Sequence, residues 1–220
     1  MPRLVIFDVD GTLVDSQADI LASMALAFTG LSLPVPSDDA VRGIVGLSLP
    51  IAMARLAPGL SAEDNEALVT GYKRGYNGLR LANGTEGSPL FPGAAAALHR
   101  LAAMPGTVLG VATGKSRRGL DGLIDAHGWQ GMFAVTQTAD DQVSKPDPAM
   151  VNACLAATGV PAARAVMIGD TSFDIDMGRA AGVRTLGVSW GYHPLAAIAH
   201  ADAVIDGFDA LDSALAHLWG

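Results

Sequence analysis

The stretch LVIFDVDGTLVDS (residues 4–16) joins a short apolar run to two closely spaced carboxylates. Leu4 to Phe7 is too short for a helix and rich in β-forming residues, so it predicts a buried strand. Beyond the end of a strand the chain turns, and Asp8 and Asp10 can then face one site. Two adjacent acids repel each other unless a positive charge lies between them, which favours a divalent cation with oxygen ligands, such as Mg²⁺.

These aspartates allow two interpretations. In an enzyme, one acid would be a nucleophile and the other a general acid or base. In a structural turn, the same residues would only close the strand, because Asp and Gly are common in turns. The DxDGT pattern alone does not separate the two interpretations, so the other motifs of the chain have to decide.

The composition restricts the classes of partner. The 220 residues carry a net charge of −8, with an isoelectric point near 4.9, which argues against nucleic acid or an anionic membrane as a partner. Cys154 has no second cysteine to pair with and is predicted to be a buried apolar side chain. No signal peptide or apolar spanning segment is recognisable, so we expect a cytoplasmic protein, either a monomer or a homodimer.

Helix signals dominate the chain after the first motif, without a strand signal between them. Residues 81–93, LANGTEGSPLFPG, are dense in Gly, Pro, Asn and Ser and are typical of a linker. We therefore predict an all-helical cap domain at residues 16–84, inserted into a core domain of residues 1–15 and 85–220. A residue suited to cap a helix precedes each of the four helical patterns: Asp15 or Ser16, then Ser37, Ser48 and Ser61.

From Pro92 onward, strand patterns alternate with helical patterns. This alternation predicts an α/β fold with a Rossmann-like parallel sheet covered by helices on both faces. The strand at residues 4–7 belongs to the same sheet, so the helical segment interrupts its first crossover. The other strand patterns lie at 108–113, 132–136, 165–170, 184–190 and 202–206.

In open parallel sheets, ligands bind beyond the carboxyl ends of the strands. Each polar residue there has a structural alternative. Thr113 could cap a helix, Lys145 could be a solvated loop residue, and Asp170 and Asp174 could be a helix cap and an N-terminal acid that the helix dipole favours. Together, a hydroxyl, an ammonium and four carboxylates favour a site for a metal ion and a phosphate. The residues that we expect at this edge are Asp8, Asp10, Thr113, Gly114, Lys145, Asp170 and Asp174.

The motifs FDVDGTLVDS, SKPDP and IGDTSFDIDMGRAAG, with Thr113 after an apolar strand between the first two, resemble the haloacid dehalogenase superfamily of phosphotransferases. The resemblance covers nearly the whole chain. The helical insertion after the first motif, with RGIVGLSL inside it, resembles the small cap of the phosphoglycolate phosphatase-like branch. This resemblance implies a Mg²⁺-dependent phosphatase whose partner is a small phosphorylated metabolite, such as 2-phosphoglycolate.

The resemblance also implies a role for each residue. Asp8 would be the nucleophile that accepts the phosphoryl group, and Asp10 would protonate the leaving alcohol and then deprotonate the attacking water. Positioning and charge stabilisation do most of the work in such a transfer. The metal ion would bind the Asp8 carboxylate, the Asp10 main-chain carbonyl and Asp170, with Asp174 holding a metal-bound water, and the phosphate would bind Thr113, Gly114 and Lys145.

Other members of the superfamily remain as alternatives. Dehalogenases need no acid at the position of Asp10, and phosphonate hydrolases lack it, so both are disfavoured. The β-phosphoglucomutase branch keeps every core motif, but its caps carry an arginine after Gly-x-Ser where this chain has Leu49. A sugar phosphate mutase and an inorganic pyrophosphatase stay open, whereas a noncatalytic binding protein is disfavoured because no catalytic group is missing.

One cap residue is predicted to contact the substrate. Lys73 and Arg74 lie in the middle of a helical pattern, where a solvated face is expected. Arg42 lies beside glycines that permit a tight turn towards the core. We therefore predict that Arg42 contacts the leaving group and contributes to substrate specificity.

Overall fold

The computed structural model describes residues 2–220, and its centre is one parallel sheet of six strands. The strands are β1 (Arg3–Phe7), β2 (Thr107–Ala112), β3 (Val135–Gln137), β4 (Ala165–Gly169), β5 (Arg184–Val188) and β6 (Ala203–Ile205). Their order is β3-β2-β1-β4-β5-β6, so the first strand lies at the centre between β2 and β4. The carboxyl ends of β1, β2 and β4 therefore meet at one edge of the sheet.

Helices cover the sheet on both sides. They are α5 (Ala94–Ala103), α6 (Arg117–His127), α7 (Ala149–Thr158), α8 (Ser172–Ala180), α9 (Leu195–Ile198) and α10 (Leu211–Trp219). Val5 and Phe7 of β1 lie in one buried cluster with α5, α6 and α10, whereas Leu4 and Ile6 lie in a second cluster with α7 and α8. This alternation explains why the strand is apolar at every position from Leu4 to Phe7. The predicted α/β fold class is confirmed.

A helical insertion lies between β1 and α5. Its helices are α1 (Gln17–Gly30), α2 (Asp38–Arg42), α3 (Leu49–Leu56) and α4 (Ala62–Asn83), and their apolar side chains form a third buried cluster around residues such as Met24, Met53 and Leu68. A hydrogen bond joins the two segments that connect the insertion to the core: the backbone N–H of Asp15 donates to the carbonyl of Pro89 at 2.8 Å. The division into domains at 15/16 and 84/85 stays a prediction.

Three local details differ from the sequence-based expectation. The last insertion helix continues to Asn83 and is followed by a 3₁₀ turn at Gly84–Gly87, so half of the predicted linker is helical. The short helix α9 was not predicted. Ser16 makes no side-chain cap to α1, because its hydroxyl donates to Asp10 instead. None of the described helices is both long and apolar enough to cross a membrane.

Candidate active site

Three buried aspartates lie at the adjoining carboxyl ends of β1 and β4. Asp8 follows β1, Asp170 follows β4, and Asp174 lies in the first turn of α8. One carboxylate oxygen from each lies within 4.8 Å of the others. Glycines make this convergence possible, since a Cβ at Gly11 or Gly191 would overlap the Asp170 side chain. Gly11 also has a φ of +86°, which an L side chain rarely adopts.

Lys145 is the counter-ion of this cluster. Its ammonium is buried and donates to Asp8 Oδ1 at 2.7 Å and to Asp174 Oδ1 at 2.6 Å. Burial raises the pKa of Asp8 to about 7, with Lys145 opposing the rise and Asp174 adding to it. Burial alone would lower the pKa of Lys145, but the two carboxylates outweigh it and the pKa lies above its ordinary value. The lysine therefore stays charged between its partners.

The other two carboxylates are held by hydrogen bonds from the surrounding loops. Thr12 Oγ1 donates to Asp170 Oδ1 at 3.0 Å, and the backbone N–H of Tyr192 donates to Asp170 Oδ2 at 2.8 Å. Burial and the neighbouring acids raise the pKa of Asp170 well above its ordinary range. Asp174 Oδ2 accepts from the N–H and the hydroxyl of Thr171 in a capping box. Asp174 therefore belongs both to the cap of α8 and to the cluster of three carboxylates.

The three carboxylates are chemically suited to hold a metal ion. They offer oxygen donors, and Asp8 Oδ2 is buried with no hydrogen-bond partner among the described residues. An unpaired buried oxygen costs free energy that a bound ion or ligand would recover. The Asp10 carboxylate does not belong to this group, so a contribution of Asp10 to the metal site rests on its main-chain carbonyl.

Asp10 is bound by a second lysine. Lys115 Nζ donates to Asp10 Oδ1 at 2.6 Å, and the Ser16 hydroxyl donates to the same oxygen. Lys115 also donates to the Tyr76 hydroxyl at 3.0 Å, so it connects the loop after β2 with helix α4 of the insertion. Although burial alone would lower the pKa of Lys115, Asp10 and Tyr76 raise it above its ordinary value. Lys115 is thus charged at neutral pH.

The loop after α2 docks the insertion onto the core. Gly114 lies against it so closely that an added Cβ would be 2.5 Å from the carbonyl oxygen of Gly46. The backbone N–H of Ser48 donates to Ser144 Oγ at 2.8 Å, next to Lys145. Gly114 was predicted only as a phosphate-binding residue, and the structure gives it a further role in the close approach of the two parts.

A cavity of about 270 Å³ lies between the docked insertion and the core residues Asp8 and Asp10. Asp8, Asp10, Thr113 and Gly114 line it, whereas the buried residues Lys145, Asp170 and Asp174 are not among its lining residues. The residues lining the cavity do not include Arg42, which instead pairs with Asp39 on the surface of α2. The structure thus places Arg42 away from the predicted contact with the leaving group. Cations that line the cavity are Lys73, Arg80, Lys115 and Arg118.

Several residues of the site were not identified from the sequence. Lys115 follows Thr113 by two positions, and a second lysine in the loop after a strand was the available signal. Thr12 belongs to the DxDGT motif but was not given a contact. Ser16 was interpreted as a helix cap, and Tyr192 lies beyond the motifs altogether. Each of these contacts depends on segments that meet only in the folded chain.

Comparison with known proteins identifies the family. Residues 5–188 match the family model described as haloacid dehalogenase-like hydrolase. This chain belongs to the haloacid dehalogenase-like hydrolases. The predicted resemblance is confirmed at the level of the family.

The relatives of this haloacid dehalogenase-like hydrolase extend over most of its length. It is 35% identical over 196 residues to the Dickeya dadantii protein named probable phosphatase IndB, covering 88% of this chain and 84% of that one. It is 34% identical over 222 residues to a phosphoglycolate phosphatase of Rhodospirillum rubrum, covering 96% and 90%. A haloacid dehalogenase-like hydrolase from Streptococcus pneumoniae shares the fold, with a TM-score of 0.82, 24% identity and coverage of 97% and 98%.

Proposed function

We propose that this hydrolase is a Mg²⁺-dependent phosphatase that cleaves a small phosphomonoester through an aspartyl-phosphate on Asp8. The observation that carries the proposal is the state of the Asp8 carboxylate. Its Oδ1 is held by Lys145, while its Oδ2 is unpartnered and buried, and Asp8 lines the cavity. An oriented, desolvated oxygen beside a cavity is arranged to act as a nucleophile.

The reaction would proceed in two displacements. Asp8 Oδ2 forms a bond to phosphorus while the bond from phosphorus to the leaving oxygen breaks, and Asp10 donates a proton to that oxygen. Asp10 then removes a proton from the water that attacks the phosphoryl group, and Asp8 is released. Ser16 and Lys115 both donate to Asp10 Oδ1, so its Oδ2 is the oxygen that carries the transferred proton.

Charge around the phosphoryl group would be balanced by the core residues. Lys145 reduces the repulsion between Asp8 and an incoming anion, because its ammonium lies 2.7 Å from the nucleophilic carboxylate. Thr113 and Gly114 line the same cavity and are proposed to donate to phosphoryl oxygens. A Mg²⁺ ion bound by Asp8, Asp170 and Asp174 would supply positive charge to the phosphoryl oxygens. The phosphatase names of the relatives support this proposal.

The central test is the loss of the nucleophile. In Asp8→Asn the amide cannot form the acyl-phosphate, so hydrolysis of p-nitrophenyl phosphate and burst-phase labelling of the protein should both disappear. The matched control is Asp38→Asn, an exposed acid at the start of α2, which should keep full activity. Turnover by Asp8→Asn at the wild-type rate would refute the assignment, and undiminished activity in EDTA would refute the requirement for Mg²⁺.

The role of Asp10 has its own test. Asp10→Asn removes the proton donor, so alkyl phosphates, whose leaving groups need protonation, should lose more activity than the activated ester p-nitrophenyl phosphate. Equal losses on the two esters would contradict the assigned role.

A separate assay distinguishes a phosphatase from a mutase. A mutase would convert β-glucose 1-phosphate to glucose 6-phosphate when primed with the 1,6-bisphosphate, and a phosphatase should release inorganic phosphate instead.

A further inference from the structure

The cavity over the aspartates is larger than transfer of a phosphoryl group requires. Its volume of about 270 Å³ approaches the lower end of the roughly 300–1,000 Å³ range of pockets for drug-sized ligands. It extends from Asp8 and Asp10 on the core to helices α1, α3 and α4 of the insertion. The leaving group of a bound phosphomonoester would occupy this space, so the chemistry of its walls indicates the class of substrate.

The walls supplied by the insertion are mainly apolar. They come from three separate elements of the insertion, and no ion pair is formed among these side chains. A polar leaving group would lose its hydration against such walls without gaining hydrogen bonds from them. The apolar side chains are Ile20 and Met24 of α1, Ile44, Val45 and Leu47 of the loop after α2, and Leu49 and Ala52 of α3, and Asn77 of α4 is the uncharged amide among the lining residues.

Two tyrosines on α4 extend this apolar surface to the proton donor. The rings of Tyr72 and Tyr76 are stacked, with centroids 5.9 Å apart and planes at 18°, and both line the cavity. The Tyr76 hydroxyl accepts from Lys115, which also binds Asp10. Lys115 therefore links the aromatic wall to Asp10, the residue that would protonate the leaving oxygen.

The charged lining residues do not form a receptor for a second anion. Lys115 is occupied by Asp10 and Tyr76. Lys73 is exposed, and the guanidinium of Arg80 packs over Gly122 of α6. Asp140, which also lines the cavity, would repel a carboxylate. Arg118, the fourth cation of the lining, is an exposed residue of α6. The charges of the lining thus have both signs and come from separate elements of the chain.

We propose that the leaving group is an alcohol with an apolar body, either an alkyl chain of about four or more carbon atoms or an aromatic ring, rather than a small hydroxy acid. This inference rests on the proposed phosphatase function. The phosphoryl group would lie against Asp8, the ester oxygen beside Asp10, and the apolar body between Leu49 and the stacked tyrosines.

The test is a series of unbranched primary alkyl phosphates, from ethyl to butyl to hexyl, assayed with Mg²⁺ by phosphate release and compared with 2-phosphoglycolate. Leaving-group acidity changes little along the alkyl series, so differences in kcat/KM report the contact with the walls. Full burial of each methylene would raise kcat/KM about fourfold. We expect at least a tenfold rise from ethyl to hexyl phosphate, with 2-phosphoglycolate below the butyl ester.

Two variants of α3 connect this rise to the cavity. Leu49→Ser removes apolar surface from the wall and should lower the hexyl-to-ethyl ratio of kcat/KM by about tenfold. The control Ile51→Ser changes an exposed residue of the same helix that does not line the cavity, and its ratio should match that of the wild type. If Leu49→Ser does not fold, the ester series on the wild-type protein still decides the question.

The possible failures differ from one another. Hydrolysis of all the esters with a flat chain-length profile, or with 2-phosphoglycolate preferred, would overturn this inference alone, and the apolar walls would then serve only the buried cluster of the insertion. Absence of hydrolysis with every ester would overturn the proposed function and this inference together.

Discussion

Replacement of Lys145 by methionine tests the electrostatic account of the site. Lys145 is buried and donates to Asp8 and Asp174, and these acids share a 4.8 Å cluster with Asp170. The wild-type cluster has one ammonium for three carboxylates. Methionine is similar in length and would keep the apolar contacts of the lysine stem, but it would leave three buried acids without a counter-ion. The substitution therefore isolates the charge.

The expected loss of stability is large. Removal of one partner from a buried ion pair destabilises a protein by about 3–5 kcal/mol, against a total free energy of unfolding of about 5–15 kcal/mol. The carboxylates of the variant would reduce this loss by taking up protons, since their pKa values in the folded protein would lie above the unfolded values. The folded variant would then bind more protons than the unfolded chain, so its stability should fall as the pH rises from about 4 to about 7.

The assay is urea unfolding followed by circular dichroism, in EDTA, at pH 5.5 and pH 7.5. We expect Lys145→Met to lose about 3–5 kcal/mol at pH 7.5 and distinctly less at pH 5.5. The control Lys73→Met changes an exposed lysine and should stay within about 0.5 kcal/mol of the wild type. A loss below about 1 kcal/mol at pH 7.5, or a larger loss at the lower pH, would refute the reasoning.

Three further predictions concern other parts of the molecule. Gly114→Ala would push a Cβ to within 2.5 Å of the Gly46 carbonyl and should cost about 1–3 kcal/mol together with lower kcat/KM, whereas Gly78→Ala, where a Cβ meets nothing, should not destabilise in a urea melt. Lys115→Met should lower kcat on alkyl phosphates about ten- to a hundredfold and affect p-nitrophenyl phosphate less, and equal losses would contradict its contact with the proton donor. Burial raises the pKa of Cys154 to about 12, so a thiol reagent at pH 8 should label it only when the protein unfolds.

The sequence predicted those features of the fold that depend only on the strands and on their parallel arrangement. Leu4 to Phe7 predicted a strand buried on both faces, and the structure places its alternate residues in two separate clusters. Asp8 and Asp170 were expected to meet because parallel strands end at one edge, and their carboxylates do meet. These conclusions need only the period of a strand and the topology of a parallel sheet.

The contacts between the insertion and the core could not be derived in the same way. Arg42 was chosen for its flanking glycines, but Asp39, three residues earlier on the same helical turn, pairs with it at the surface. Lys115 reaches Asp10 and Tyr76 because three segments far apart in the sequence converge. Sequence periodicity reports which face of a helix is buried, and it does not report how a helical insertion is oriented on a sheet.

The two connections of the helical insertion leave the core side by side. Val14 and Leu90 form an antiparallel bridge, and the N–H of Asp15 donates to the carbonyl of Pro89. The core thus holds the start and the end of the insertion roughly 5 Å apart, the spacing of neighbouring strands. A helical insertion of a different length could be joined to the same two paired segments without a change in the sheet. The insertion that is proposed to contact the leaving group could therefore be exchanged while Asp8 and Asp10 keep their places after β1.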